Sequence, residues 1–312
     1  MLLTARLVFL GLIALFLACA LIVHLRSRVR LKLGKQLAGH AMLFAPYNLL
    51  MYAFSAVPVG AFPDRKRFSD VDALRDHWQT IRDEAVGLTD EGHIRAALKD
   101  TDASFSSFIK VGWKRFYVKW YGAPLPSAQQ LCPKTVELVN RIPGVKAAMF
   151  ALLPPGVTLN LHRDPFAGSL RYHLGLITPN SDACHIVVNG ENYSWRDGED
   201  VVFDETCAHW VENKTDQTRV IFMCDLERPL RSRVLTWINH HVSNFMGAIT
   251  ASPNQVSEPT GAVNRLFSAL RQRRAKSHAF KQRHRKLFKT AKFAGSVVLL
   301  WVLLLAPWPI VG

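Results

Sequence analysis

Residues 160 to 176 read NLHRDPFAGSLRYHLGL, with two histidines, two arginines and an aspartate set among apolar residues. In an extended chain residues two apart share a face. His162 therefore pairs with Asp164, and Arg171 pairs with His173. An imidazole and a carboxylate at that spacing can chelate one ion. A third ligand has to come from elsewhere, and His209 in FDETCAHWVEN is the natural choice. A plainer use of the same pattern is a solvated sheet face, so residues further along the chain must decide.

Two histidines and one carboxylate on one side of a metal leave coordination positions open, the arrangement found in non-haem Fe(II) oxygenases. The bare H-x-D spacing is common, and Arg219 strengthens it. Turn residues centred near Lys214 are expected to fold this segment into a hairpin, returning Arg219 to the side of His209. A permanently charged guanidinium there suits the distal carboxylate of a dicarboxylate co-substrate. The strand RVIFMCDL is otherwise apolar at its start, so burying Arg219 without an anion would be costly.

These residues need a scaffold. From Ala147 onward the chain shows short β-type runs: AAMFALL, SLRYHLGLI, CHIVVN, DVVFD and RVIFMCDL. Turn signals such as Pro154-Pro155-Gly156, Asn189-Gly190 and Asp197-Gly198 separate them. Short strands at this spacing predict a sandwich or barrel. Upstream, Ser69 with Asp72 is read as opening an amphipathic helix. Val71, Leu74, Trp78, Ile81 and Ala85 then share one face, a core stripe.

The chain is strongly basic, with 39 Lys and Arg against 24 Asp and Glu. No acidic residue precedes position 36 or follows 264, and the stretch between holds 22 basic and 24 acidic residues. The basicity belongs to two flanks, which argues against a nucleic-acid-binding domain. Arg26, Arg28, Arg30, Lys32 and Lys35 follow an apolar run, Leu7 to Val23. Eleven basic residues between Arg265 and Lys292 precede a second run, Ala294 to Val311. Each run approaches the length of a membrane-spanning helix. The rival for the first is a signal peptide cut near Ala18-Cys19-Ala20, and for the second an interfacial anchor broken by Pro307 and Pro309. With two spans, the positive-inside rule puts residues 26–292 in the cytosol. Five cysteines, odd in number and without ligand spacing, fit free thiols in a reducing compartment. The uncharged stretch Ala41 to Phe62 is read as interfacial or packed under the domain, Pro46 and Pro58 opposing a third span.

Taken together, HRDPFAGSLRYHLGL, FDETCAHWVEN, RVIFMCDL and the upstream IPGVKAAMFALLPPG resemble the aspartyl/asparaginyl β-hydroxylase family of 2-oxoglutarate oxygenases. The resemblance covers roughly Pro133 to Pro229. It implies a double-stranded β-helix (jelly roll), Fe(II), 2-oxoglutarate and O2. By that resemblance His162 and His209 bind iron, and Arg171, His173 and Arg219 hold the co-substrate. Animal peptide hydroxylases of the family carry glycine where this chain has Asp164; the carboxylate here makes Asp164 the third expected ligand. Together with APYNLLMYAFSAVP and RDEA, the flanking apolar segments resemble the bacterial branch of lipid A 2-hydroxylases.

The expected organisation is a transmembrane helix (1–25), a basic and interfacial apolar segment (26–66), a helical support region (67–132), the oxygenase core (133–235), a basic juxtamembrane region (236–292) and a second transmembrane helix (293–312). The implied activity is hydroxylation of the 2-position of a lipid A acyl chain at the cytoplasmic side of a bacterial inner membrane. The basic flanks would meet anionic lipid headgroups. Ornithine-lipid acyl hydroxylation, peptidyl hydroxylation and a non-catalytic membrane-tethered module remain the alternatives. Nothing in the sequence reads out an oligomeric state.

Overall fold

The computed structural model describes residues 2–32, 34, 40–96 and 102–283. The second apolar run and the end of the basic tail lie outside these residues. Contacts divide the chain into two units, 1–264 and 265–312.

Among the described residues the strands form two antiparallel sheets. One has the order β1-β2-β9-β4-β7 and the other β3-β8-β5-β6. The strands are β1 (Lys114–Trp120), β2 (Val145–Leu153), β3 (Thr158–His162), β4 (Ser169–Ile177), β5 (Cys184–Val188), β6 (Glu191–Ser194), β7 (Asp200–Phe203), β8 (His209–Asn213) and β9 (Arg219–Glu227). From β2 to β9 every connection except the β5–β6 hairpin switches sheets. That alternation is the winding of a jelly roll. The expected runs appear as β2, β4, β5, β7 and β9. The sheet also reaches upstream of residue 133, since β1 pairs with β2.

Burial explains why the central strands read as unbroken apolar runs. β2 is buried along its whole length, and β4 and β9 along all but their last residue. Alternate residues serve opposite faces. Ala148, Phe150 and Phe222 pack with the helices, while Met149, Ala151, Ile221 and Met223 face the second sheet. The helical layer includes Trp78–Asp90 and Pro133–Asn140. The stripe of Val71, Leu74, Ile81 and Ala85 is buried there as expected. It is not one helix, however. Ser69–Val71 is a 3-10 turn, Asp72–Asp76 a short helix, and His77 breaks the chain before Trp78. Ser69 makes no capping bond with its side chain at either start.

At the N-terminus, helix α1 (Leu2–Leu25) contains Leu7–Leu25, long and apolar enough to cross a membrane by length and composition. Cys19, Ala20 and Val23 pack against Met42 and Ala45 at the start of helix α2 (Ala45–Ala53). At nine residues, α2 rises about 14 Å, well short of a bilayer core. It lies on the barrel instead: Asn48 Nδ2 donates to Pro165 O at 2.9 Å, and Asn48 Oδ1 accepts from Ala167 N at 2.9 Å. Helix α3 (Arg233–Thr250) follows β9, and helix α4 (Ala262–Arg283) carries the start of the basic tail.

Candidate active site

His162 ends β3, Asp164 follows in extended chain, and His209 opens β8 directly opposite His162 in the strand register. One potential ligand atom from each lies within 4.8 Å of the others, close enough to share a metal ion. The backbone orients both rings. His162 Nδ1 lies 2.7 Å from Asn160 O and His209 Nδ1 2.9 Å from Cys207 O. A carbonyl can only accept, so each ring carries its proton on Nδ1 and leaves the Nε2 lone pair for a metal. Burial holds His209 neutral, pushing its pKa down to about 3. For Asp164 burial acts upward, but the Arg171 charge, helped by the two imidazoles, brings it down to about 2. The His209 ring and the Asp164 carboxylate are thus already in their metal-binding protonation states at neutral pH.

His173 on β4 and Arg219 at the start of β9 line the same pocket as the donor set. Both ring nitrogens of His173 are buried without a hydrogen-bond partner, as are Nε and Nη1 of Arg219. Arg219 is 2% exposed and lies over the Trp195 ring at 4.3 Å. Among the described residues no carboxylate pairs with it. Burial lowers its pKa to about 10, so it remains a cation at neutral pH. Burial, then the neighbouring Arg219, pushes His173 well down, so its ring is neutral. A buried, unpaired guanidinium costs about 3–5 kcal/mol, as when a buried ion pair loses one partner. The pocket therefore fits an anion that the protein does not supply. Phe105, Phe108, Trp113, Leu159 and Val211 add apolar lining to the pocket.

Arg171 also lines this pocket, but its guanidinium is engaged. Nη2 donates to Asp164 Oδ2 at 3.2 Å and also contacts Glu205, and Nε lies 2.7 Å from Asp225 Oδ1. Tyr121 Oη donates to Asp225 at 2.9 Å and Ser169 Oγ to Glu205 at 2.9 Å. One cation faces three carboxylates. Burial and the neighbouring acids push Glu205 well above the usual carboxylate range, towards its protonated form. The family resemblance puts Arg171 on the co-substrate; the carboxylate network around its guanidinium is not foreshadowed by that resemblance. The available signal was Asp225, a lone acid inside the apolar run RVIFMCDL, and Glu205 four residues before His209.

The expected hairpin does not form. β8 and β9 belong to different sheets, and the turn around Lys214 carries the chain across the sandwich. His209 and Arg219 reach one pocket from opposite walls rather than from adjacent strands.

Residues 75–229 match the sequence profile of aspartyl/asparaginyl β-hydroxylases. A stretch of 136 residues is 38% identical to an ornithine lipid ester-linked acyl 2-hydroxylase of Rhizobium tropici, covering 43% of this chain and 48% of that protein. A stretch of 164 residues is 27% identical to the aspartyl/asparaginyl beta-hydroxylase of Homo sapiens, covering 51% and 21%. A solved prolyl-4-hydroxylase of Pseudomonas putida aligns over 49% of this chain and 87% of its own, at 19% identity and a TM-score of 0.33. The chain spans about half or less of the length of these two curated relatives.

Proposed function

Residues 75–229 form a domain of the aspartyl/asparaginyl β-hydroxylase family, and from that premise we propose an Fe(II)/2-oxoglutarate-dependent dioxygenase that hydroxylates the 2-position of an acyl chain of lipid A. The observation that carries this reading is the pairing, in one pocket, of a His162–Asp164–His209 donor set with the unpartnered Arg219. Nε2 of His162, Nε2 of His209 and the Asp164 carboxylate would hold iron. Arg219 would take the far carboxylate of 2-oxoglutarate as a two-bond fork, with His173 beside it. Bound together, the metal and co-substrate supply oxidation of an unactivated C–H bond by O2, with release of succinate and CO2.

The protein's own part is orientation and exclusion. Carbonyls of Asn160 and Cys207 set the imidazoles, and Arg171 holds Asp164. The Phe108 ring lies edge-on to His162 with centroids 4.8 Å apart, covering one side of the metal set with apolar surface.

A membrane lipid as substrate is supported by where the ligand strand is tied. Arg163, between His162 and Asp164, donates from Nη1 to Val23 O at 3.1 Å. Val23 lies in the last turn of α1, where carbonyls lack helical partners and a cation is favoured. With α1 as a membrane anchor, the metal set stands beside the membrane-proximal end of that helix, within reach of an acyl chain. The basic residues on both flanks suit the phosphates of lipid A at the cytoplasmic face of the inner membrane, and anionic headgroups generally. Ornithine lipid is the second reading, supported by the Rhizobium tropici relative.

Mass analysis of lipid extracts with and without the gene tests both. One added oxygen on a lipid A acyl chain carries the proposal. The same gain confined to ornithine lipid selects the second reading, and no gain in either lipid refutes both.

A further inference from the structure

Helix α3 is inside out for a water-facing helix. Its inward face holds Asn239, Ser243 and Gly247, all buried and spaced four apart. Gly247 packs so closely on Tyr121 that a Cβ there would collide with it, and Asn239 Nδ2 donates to Gly168 O at 3.0 Å. The outward face carries Val234, Trp237 and Phe245, which are 67%, 62% and 64% exposed. A surface helix of a soluble domain shows the opposite arrangement. His240, His241 and Asn244 are exposed beside Val234, Trp237 and Phe245, and large exposed apolar side chains grouped among polar neighbours in this way mark an interaction surface.

We propose that this outward face of α3 is seated in the lipid interface, so that the domain rests on the bilayer through a second contact besides α1. This rests on the reading of Leu7–Leu25 as a membrane span. Continuity with that span argues for lipid as the occupant. α3 adjoins α2: Tyr47 Oη donates to Asn239 Oδ1 at 2.5 Å, and Arg231 N donates to Phe54 O at 2.8 Å. α2 in turn packs on α1 and exposes Leu50, with Leu43 exposed just before it and Phe54 just after it. An apolar outer surface thus continues from the anchor through α2 to α3.

Charge agrees with lipid. No acidic residue occurs between Arg228 and Ser257, and Arg231 and Arg233 stand at the helix start. An apolar face with a cationic edge and an outward tryptophan is the composition of a helix lying in a membrane interface. The same contact would limit rotation about α1 and keep the pocket at a constant height above the lipid.

The full chain, reconstituted in phosphatidylethanolamine–phosphatidylglycerol vesicles, allows a direct test. The native cysteines are all buried, so Trp237→Cys can be labelled selectively with an environment-sensitive fluorophore. Labels at Glu137→Cys, on an exposed helix position of the domain, and at Leu15→Cys in α1 serve as references. The label at 237 is expected to emit further to the blue than the label at 137. Lipids with a nitroxide high on the acyl chain should quench most of its fluorescence and leave the 137 label bright. A 237 label indistinguishable from the 137 label overturns the proposal. So does a 237 label that is shielded without lipid quenching and crosslinks to a second copy. The label at 15 separates the two readings: its quenching by deep nitroxides shows that α1 spans whether or not α3 is seated, and its failure removes the span itself.

Discussion

Arg171 donates to the Asp164 carboxylate at 3.2 Å while the same guanidinium contacts Glu205 and Asp225. The one acid of the metal set is therefore held by a cation whose position two further acids determine. Arg171→Lys keeps the charge but loses the fork that reaches three partners. The expected effect is weaker metal binding, about tenfold or more, with the 2-oxoglutarate requirement nearly unchanged, since one charged hydrogen bond is worth about 1.5–3 kcal/mol. Titration of Mn(II) as an oxygen-stable stand-in, alongside 2-oxoglutarate dependence, separates these. The reverse pattern would return Arg171 to the co-substrate.

Arg219 behaves differently because no carboxylate among the described residues meets it. Arg219→Lys should raise the half-saturating 2-oxoglutarate concentration about tenfold to a hundredfold, the equivalent of one lost charge-assisted contact, with metal affinity retained. Arg219→Met should also raise the melting temperature of the protein without co-substrate, by removing a buried unpaired charge. An unchanged half-saturation with an unchanged melting temperature would mean that the guanidinium is solvated.

Asp164→Ala distinguishes a three-ligand from a two-ligand iron site. His162→Ala and His209→Ala should each abolish metal binding and succinate formation with the β-sheet far-ultraviolet signal intact. Asp164→Ala is expected to weaken metal binding strongly as well. Full turnover in that variant would show that two histidines suffice.

Acid should destabilise the metal-free protein well before ordinary carboxylates titrate. His209, at about 3, and His173, also well below its ordinary value, are held neutral by burial. Below about pH 6.5 the unfolded chain binds protons at these positions and the native state does not, so stability falls as pH falls. Asp164 adds in the same direction further down: its pKa is lowered to about 2, so its contribution is present above the ordinary carboxylate pKa and lost as pH drops towards about 2. Melting temperatures measured from about pH 8 down to about pH 4, a range that brackets the ordinary histidine pKa, should decline on the acid side. His173→Phe should flatten the decline. A pH-independent melting temperature over that range would contradict the buried neutral histidines.

Much of the site was legible in the chain because it depends on local rules. Strand alternation puts His162 with Asp164 and Arg171 with His173, and unbroken apolar runs mark β2, β4 and β9 as buried on both faces. Chemical type did the rest: two imidazoles and a carboxylate suit a metal, and a guanidinium in an apolar run suits an anion. Residue order alone thus determined several strands, the candidate donor cluster and the long apolar helix at the N-terminus.

Which groups meet across the sandwich was decided only by tertiary structure. The Lys214 turn could have closed a hairpin, and local turn chemistry cannot tell a hairpin from a crossover between sheets. The long-range pairing of β8 with β3 and of β9 with β2 and β4 settles it. The same packing brings Glu205 and Asp225 to Arg171 and leaves Arg219 without an acid, although both arginines look equally suited to an anion in the sequence. The outward turn of α3 was hidden for the same reason. Its residues have a helical period whichever face is buried, and only contact with Tyr121, Gly168 and Tyr47 puts the polar side within and the apolar side without.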